Sequence, residues 1–280
     1  RVYDQSVVST RDLLYLTRET RKCGIDIAVT FVEDRPSQQP SGGFFYFWQP
    51  PDGGLGFWSL LSEGYAEYTI SADGSTIAVV HSKQAPFLEV MRYITGVSLG
   101  AALRFRGVLC LHASAVLVND SALIFAGPSH TGKSSLSAAF HRRGHRLITE
   151  DVCALDQRND EIFVRPGYAG IRLYPETLDL LYGSGAVTEA MQVDQKYLHR
   201  LDAIPAAPCP VRALYLLVPR NPDLVRPRAT LIDKQSALLA LSGQFYLHRF
   251  GPKAWLARDF PRLGELVRRI PVYLLERPDS

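Results

Sequence analysis

Gly127-Pro-Ser-His-Thr-Gly132-Lys133-Ser134 decides how this 280-residue chain is read. The stretch satisfies G-x-x-x-x-G-K-[ST], which chance places in a chain of this length on the order of 1% of the time. Its setting sharpens the signal. Ala122-Leu-Ile-Phe-Ala126 is an apolar strand directly before it. Behind it, Leu136, Ala139 and Phe140 mark one face of a helix that stops at Gly144, after Arg142 and Arg143. In such a loop Gly127 and Gly132 let backbone N–H groups turn inward toward phosphate oxygens. The unpaired N–H groups and dipole of the helix start favour the same anion. Lys133 is then placed to reach the β- and γ-phosphates of ATP, and the Ser134 hydroxyl to ligate Mg²⁺. Ser129, His130, Thr131 and Ser135 complete the stretch expected around the nucleotide. His130 stands where related loops often carry glycine, and a side chain there works against left-handed backbone angles.

Outward from the loop, residues 107–117 and 122–126 read as strands joined by the turn Val118-Asn-Asp-Ser121. A strand at 211–218, helices near 236–249 and 254–270, and a closing strand at 272–275 follow. Strands alternating with helices predict an α/β architecture. Upstream, Phe87, Val90, Met91, Ile94, Val97 and Ala101 recur at helical spacing, predicting one helix from Pro86 to about Arg106. Residues 1–85 read as β-rich, with strands at 25–32, 44–48, 65–70 and 76–80. Turn chemistry separates them at 36–43, 50–54 and 72–75, the last a hairpin on Asp73-Gly74. The expected division is a β-rich region over 1–85, the candidate for acceptor or partner recognition, and a phosphotransferase domain over 86–280. The aromatic run at 44–48 reads first as sheet core and second as a peptide-binding surface.

Composition narrows the function classes. With 46% hydrophobic and 21% charged residues the chain is ordinary for a globular protein. A net charge of +3 and short, interrupted arginine clusters do not mark a nucleic-acid binder. No run approaches the ~18 apolar residues of a membrane span, and the first residues lack a basic-then-apolar leader pattern. The chain begins at Arg1, so a few residues are expected ahead of it. Cys23, Cys110, Cys153 and Cys209 are too scattered for a zinc or redox motif. A reducing cytoplasm is the expected location.

Phosphoryl transfer also needs a carboxylate for the metal and a group that orients or deprotonates the acceptor. Glu150-Asp151 supplies two acids between the apolar stretches 146–149 and 152–155. Buried there without a cation they would be costly, which points to a metal-facing role. His112 lies in the otherwise apolar Val108-Leu-Cys-Leu-His-Ala-Ser-Ala-Val116 and, by itself, reads as a core histidine.

Leu111-His-Ala-Ser-Ala-Val116, Phe125-Ala-Gly-Pro-Ser-His-Thr-Gly-Lys-Ser134 and Arg143-Gly-His-Arg-Leu-Ile-Thr-Glu-Asp-Val152 together resemble the HPr kinase-like proteins. Pro166-Gly-Tyr-Ala-Gly-Ile-Arg-Leu-Tyr-Pro175 and the placement of Lys196 in Gln195-Lys-Tyr-Leu198 are most similar to the shorter branch found with lasso-peptide biosynthesis genes. The resemblance implies an α/β fold with a P-loop kinase core of HPr kinase type, preceded by the β-rich region. It also implies a kinase using Mg-ATP to phosphorylate a hydroxyl, commonly serine, on a protein or peptide such as a ribosomal peptide precursor. By position it gives Lys133 the phosphates and Ser134 the metal. Asp151 matches an acid that binds Mg²⁺ and contacts the family's histidine, here His112. Glu150 stands where the family usually has Asp, the expected base. Arg172 and Lys196 match basic positions near the transferring phosphate or the substrate. HPr kinases proper are oligomeric. Two other readings stay open: a small-molecule hydroxyl such as free serine as acceptor, and a nucleotide-responsive binding protein without transfer.

Overall fold

The computed structural model describes residues 2–11, 27–34, 45–183 and 195–279. Cys23 and the turn expected over 36–43 lie outside these residues. The first sheet uses β1 (Val7–Ser9), β2 (Ile27–Glu33), β3 (Phe45–Trp48), β4 (Leu55–Leu60), β5 (Tyr65–Ile70) and β6 (Thr76–His81) in the order β1-β2-β6-β5-β4-β3. The β5–β6 hairpin turns at Gly74, where φ is +67°. Tyr68, Phe57, Ile70 and Ile77 are buried on its inner face.

The helix expected from Pro86 to about Arg106 is present and continuous, and contains one π-helical turn. α1 (Phe87–Tyr93) and α2 (Leu99–Phe105) are joined by the π-helical turn Ile94–Ser98. Beyond that turn Leu99, Ala101, Ala102 and Leu103 are all buried, Ala101 as expected, while Val97 is only partly buried.

The second sheet holds β7 (Leu109–Val118), β8 (Ser121–Ala126), β9 (Arg146–Thr149), β10 (Val152–Arg158), β11 (Glu161–Val164), β14 (Cys209–Leu217), β15 (Arg228–Leu231) and β16 (Val272–Glu276). Its path runs β11-β10-β7-β8-β14-β16-β15, and a β11–β14 pairing closes part of it into a ring. β8, β14 and β16 are mutually parallel neighbours. α3 (Lys133–Arg142) follows β8. β12 (Gly170–Leu173) pairs with β13 (Tyr197–Arg200), and α4 (Pro175–Tyr182) starts where β12 ends. The helix expected over 236–249 stops early: α5 is Lys234–Ser242, N-capped by Asp233. Residues 243–250 form a loop before α6 (Lys253–Arg269), and within it Phe245 bridges to Leu111 of β7.

Three features of this arrangement position the site. Parallel strands present their carboxyl ends together, so the loops after β8, β14 and β16 face one crevice. β7 is shared: β9 pairs with its second half and β10 with its first, which leaves Glu150-Asp151 as an interruption between them. The other edge of β7 receives the 243–250 loop through Gln244 O and Tyr246 N–H.

Candidate functional site

Every residue singled out from the sequence lines one cleft of about 1070 Å³ except Gly127, which closes its base. Gly127 has φ +145°, and a Cβ there would stand 2.6 Å from the carbonyl of Leu217 on β14, so no side chain fits. Gly132 takes φ +83° and caps α3 without a side-chain bond. The amides of Lys133, Ser134 and Ser135, in the first turn of α3, have no intrahelical acceptor and face the cleft. His130 adopts φ +66°, the left-handed angle that a β-carbon disfavours. Its ring lies at 24° to that of Tyr174, whose hydroxyl is 3.3 Å from His130 Nδ1.

Lys133 Nζ donates to Gly127 O (2.8 Å) and Pro128 O (3.0 Å), folding back over its own loop. Burial lowers its ammonium to about 8, against the opposing pull of Asp151 and Glu150. Ser114 and Ser137 lock the start of α3 to β7 through a 2.8 Å hydroxyl pair, and Ser114 donates to Lys133 O.

The two acids divide their partners. Glu150, 4% exposed, accepts from the Ser134 hydroxyl at 2.9 Å through Oε1. Its Oε2 accepts from Tyr168 (2.9 Å) and Arg172 Nε (3.2 Å). Asp151, held at φ +70°, meets His112 Nδ1 at 3.0 Å through Oδ1. Its Oδ2 accepts from the Tyr246 hydroxyl (2.9 Å) and Arg172 Nη2 (3.0 Å). Burial pushes the Asp151 carboxyl up, but Arg172, His112 and Tyr246 outweigh it and hold the carboxyl well below its usual range. The resemblance pairs Ser134 with Asp151; here the carboxylate on the Ser134 hydroxyl belongs to Glu150. Arg172 bridges both acids rather than standing alone toward a phosphate.

Lys196 Nζ lies 5.0 Å from the centre of the Tyr174 ring, across the cleft from the loop. Three lining arginines were not visible as site residues in the sequence: Arg92 of α1, Arg220 and Arg277. Arg220 follows β14 and Arg277 follows β16. Arg277 is 7% exposed and donates to Thr131 O (2.6 Å) and Val218 O (3.1 Å), pinning the loop. Among the described residues no carboxylate pairs with it. Burial, then the neighbouring Arg220, lowers its guanidinium below the usual value. Arg92, Lys133, Arg172, Lys196, Arg220 and Arg277 thus meet two carboxylates in one cleft. That excess suits a polyanion, because a buried cation without a carboxylate gains most from an arriving phosphate. Tyr246 and Tyr168 were also invisible in the sequence, since only the folded loops bring their hydroxyls to the acids.

No protein-family model matches the chain, and no curated protein matches it. Among solved structures it is similar to the HPr(Ser) kinase/phosphatase from Coxiella burnetii, at 19% identity and a TM-score of 0.32. The match covers 60% of this chain and 85% of that one. No helix among the described residues is long and apolar enough to cross a membrane. Cys110 and Cys153 are buried, and burial pushes the Cys110 thiol up to about 12.

Proposed function

We propose that the chain is an Mg-ATP-dependent kinase of HPr kinase-like type that phosphorylates a hydroxyl, with serine on a peptide as the acceptor. A lasso-type ribosomal precursor is the peptide class that the sequence resemblance favours. One observation carries the reading: a glycine loop opening a helix, with Ser134 on one carboxylate and a second carboxylate–histidine pair beside it. A phosphate-binding protein needs the first half alone. A transferase needs both.

The residues present fit a magnesium ion. Mg²⁺ keeps several waters and takes one or two protein oxygens beside the substrate phosphates, so a cluster of three or more acids is not required. Ser134 and Glu150 would hold it, and the ion would neutralise charge on the β- and γ-oxygens. Lys133 and the amides of Lys133, Ser134 and Ser135 bind the phosphates. Arg277 and Arg220 add positive charge from the other strand ends. Arg172 ties both acids into one orientation.

The acceptor oxygen attacks the γ-phosphorus while the bond from phosphorus to the bridging oxygen breaks, and ADP leaves with that electron pair. The acceptor proton goes to the Asp151–His112 pair. With Nδ1–H donated to Asp151, the His112 Nε2 is the ring's acceptor atom, and Asp151 stabilises the resulting imidazolium. This exchanges the two acids relative to the family pattern: Glu150 serves the metal and Asp151 serves the acceptor.

The test is incubation of the protein with Mg-ATP and serine-ended precursor peptides, HPr protein and free serine, read by intact mass. Phosphate on a peptide supports the reading. Phosphate on free serine alone moves the acceptor to a small molecule. Bound Mg-ATP with no product on any acceptor contradicts transfer and favours a nucleotide-responsive binding protein.

A further inference from the structure

The cleft adjoins a second cavity of about 800 Å³, walled by the π-helical turn on one side and the 243–250 loop on the other. His112, Asp151, Arg172, Pro128 and Ser129 line both spaces, whereas Glu150 and Lys133 line only the first. Asp151 and His112 therefore stand at the doorway between them. We propose that the second cavity receives the acceptor as an extended peptide, with an apolar or aromatic residue beside the phosphorylated hydroxyl. The proposal rests on the kinase reading above and specifies its acceptor side.

Three observations carry it. First, Gly96 in the π-helical turn brings backbone close against the carboxylate: a Cβ there would stand 3.2 Å from Asp151 Oδ2 and 3.5 Å from the Tyr246 hydroxyl. π-turns inside helices recur at functional sites because they turn a backbone segment toward a ligand. Gly100, one turn on, seats the Tyr246 ring, since a Cβ would come within 2.4 Å of it. The wall thus packs closely on Asp151 and Tyr246 and holds both still beside His112.

Second, the cavity continues outward as an aromatic track. Tyr93 and Phe250 line it, and both stack on the edge strand β3: Tyr93 on Phe45 at 5.6 Å and Phe250 on Phe47 at 4.1 Å between ring centres. Phe250 is 50% exposed and Phe45 38%. Half-open rings at a cavity mouth gain by covering with apolar side chains. A strand at a sheet edge also offers main-chain groups to an extended segment. Within the run at 44–48, Phe47 packs against the buried core, in keeping with the sheet-core reading, while Phe45 is left partly open beside Tyr93.

Third, charge sets what the flank cannot be. Apart from Asp151 the lining acids are absent among the described residues, while Arg92, Arg172, His248 and Arg249 are present. A lysine or arginine next to the acceptor hydroxyl is repelled, and free serine leaves the aromatic mouth uncovered.

The experiment uses two fluorescein-labelled peptides, Gly-Phe-Ser-Leu-Gly and Gly-Lys-Ser-Lys-Gly. Anisotropy in Mg–AMP-PNP reads binding, and intact mass in Mg-ATP reads transfer. The first peptide is expected to bind at least about tenfold tighter. Phe250→Ala should weaken that peptide about tenfold, about 1.4 kcal/mol, with the affinity for Mg–AMP-PNP moving less than about twofold. Gly96→Ala, which crowds Asp151, should lower transfer at least about tenfold with less effect on peptide affinity. Lys133→Ala should lose the nucleotide and keep the peptide. Equal binding of both peptides, or indifference of the first to Phe250→Ala, overturns the cavity assignment even if transfer is seen. A wild-type protein that binds Mg–AMP-PNP and the first peptide but transfers nothing overturns the kinase reading instead.

Discussion

The two sides of the proposed doorway, one for nucleotide and one for acceptor, are built differently. The nucleotide side is local: Gly127 to Ser135 supply the loop, the helix start, the lysine and the metal-side hydroxyl within nine consecutive residues. The acceptor side is assembled from distant segments. His112 comes from β7, Asp151 from the break between β9 and β10, Arg172 from β12, and Tyr246 from the loop after α5. A phosphate needs a row of backbone amides, which a short loop can present alone. A nucleophile must be held against a base, which takes several elements packed around one carboxylate.

This contrast sets a graded series of outcomes. The largest effect falls on the nucleotide side: Lys133→Ala should cost about 10⁴ in kcat/KM for ATP, since it removes the cation at the phosphates. Thermal unfolding should show the fold retained, because the Lys133 side chain bonds only to its own loop. Next is the metal side of the acid pair. Glu150→Gln should raise the Mg²⁺ concentration for half-activation about 30-fold, whereas Asp151→Asn should leave it within about threefold. The reverse result would restore the family's pairing of Ser134 with Asp151. A smaller loss is expected from Tyr246→Phe, about 20-fold in kcat, from one hydrogen bond to a charged acid. KM for ATP should not follow, and a parallel rise in it would merge the two sides into one.

The smallest effect is a pH dependence. Burial puts the Lys133 ammonium at about 8 in the free protein, below its value in the unfolded chain. Below that pH the lysine is charged and ready for phosphate; above it the charge is lost before binding. Nucleotide affinity should therefore fall about tenfold between pH 7 and 9. Lys133→Arg, whose charge persists, should flatten the fall. Stability of the free protein runs the other way. The folded state binds fewer protons than the unfolded one between the two values, so this group favours folding increasingly as pH rises above 8.

What was legible in the sequence follows the same divide. The strand–loop–helix around Gly127 to Ser134 could be read because spacing alone encodes it. The 65–70 and 76–80 strands were equally plain, since alternation and the Asp73-Gly74 turn are local signals. Val97, expected on the buried face, is only partly buried because a 3.6-residue wheel cannot anticipate a π-helical turn. Residues 243–249 were read as the end of a helix over 236–249, though α5 stops at Ser242. Their pairing with β7 is a long-range contact that periodicity does not carry. Nothing in the sequence marks Arg277. Only the parallel order β8-β14-β16 brings it over the loop.

The central claim is that nucleotide binding and phosphoryl transfer separate at Asp151. Its most direct test is Asp151→Asn, measured for Mg–AMP-PNP affinity and, in parallel, for phosphate gained by a serine peptide in Mg-ATP. The expected result is an affinity within about threefold of wild type and transfer reduced about 10³-fold. Transfer persisting at the wild-type rate, or nucleotide affinity collapsing together with it, would contradict the claim.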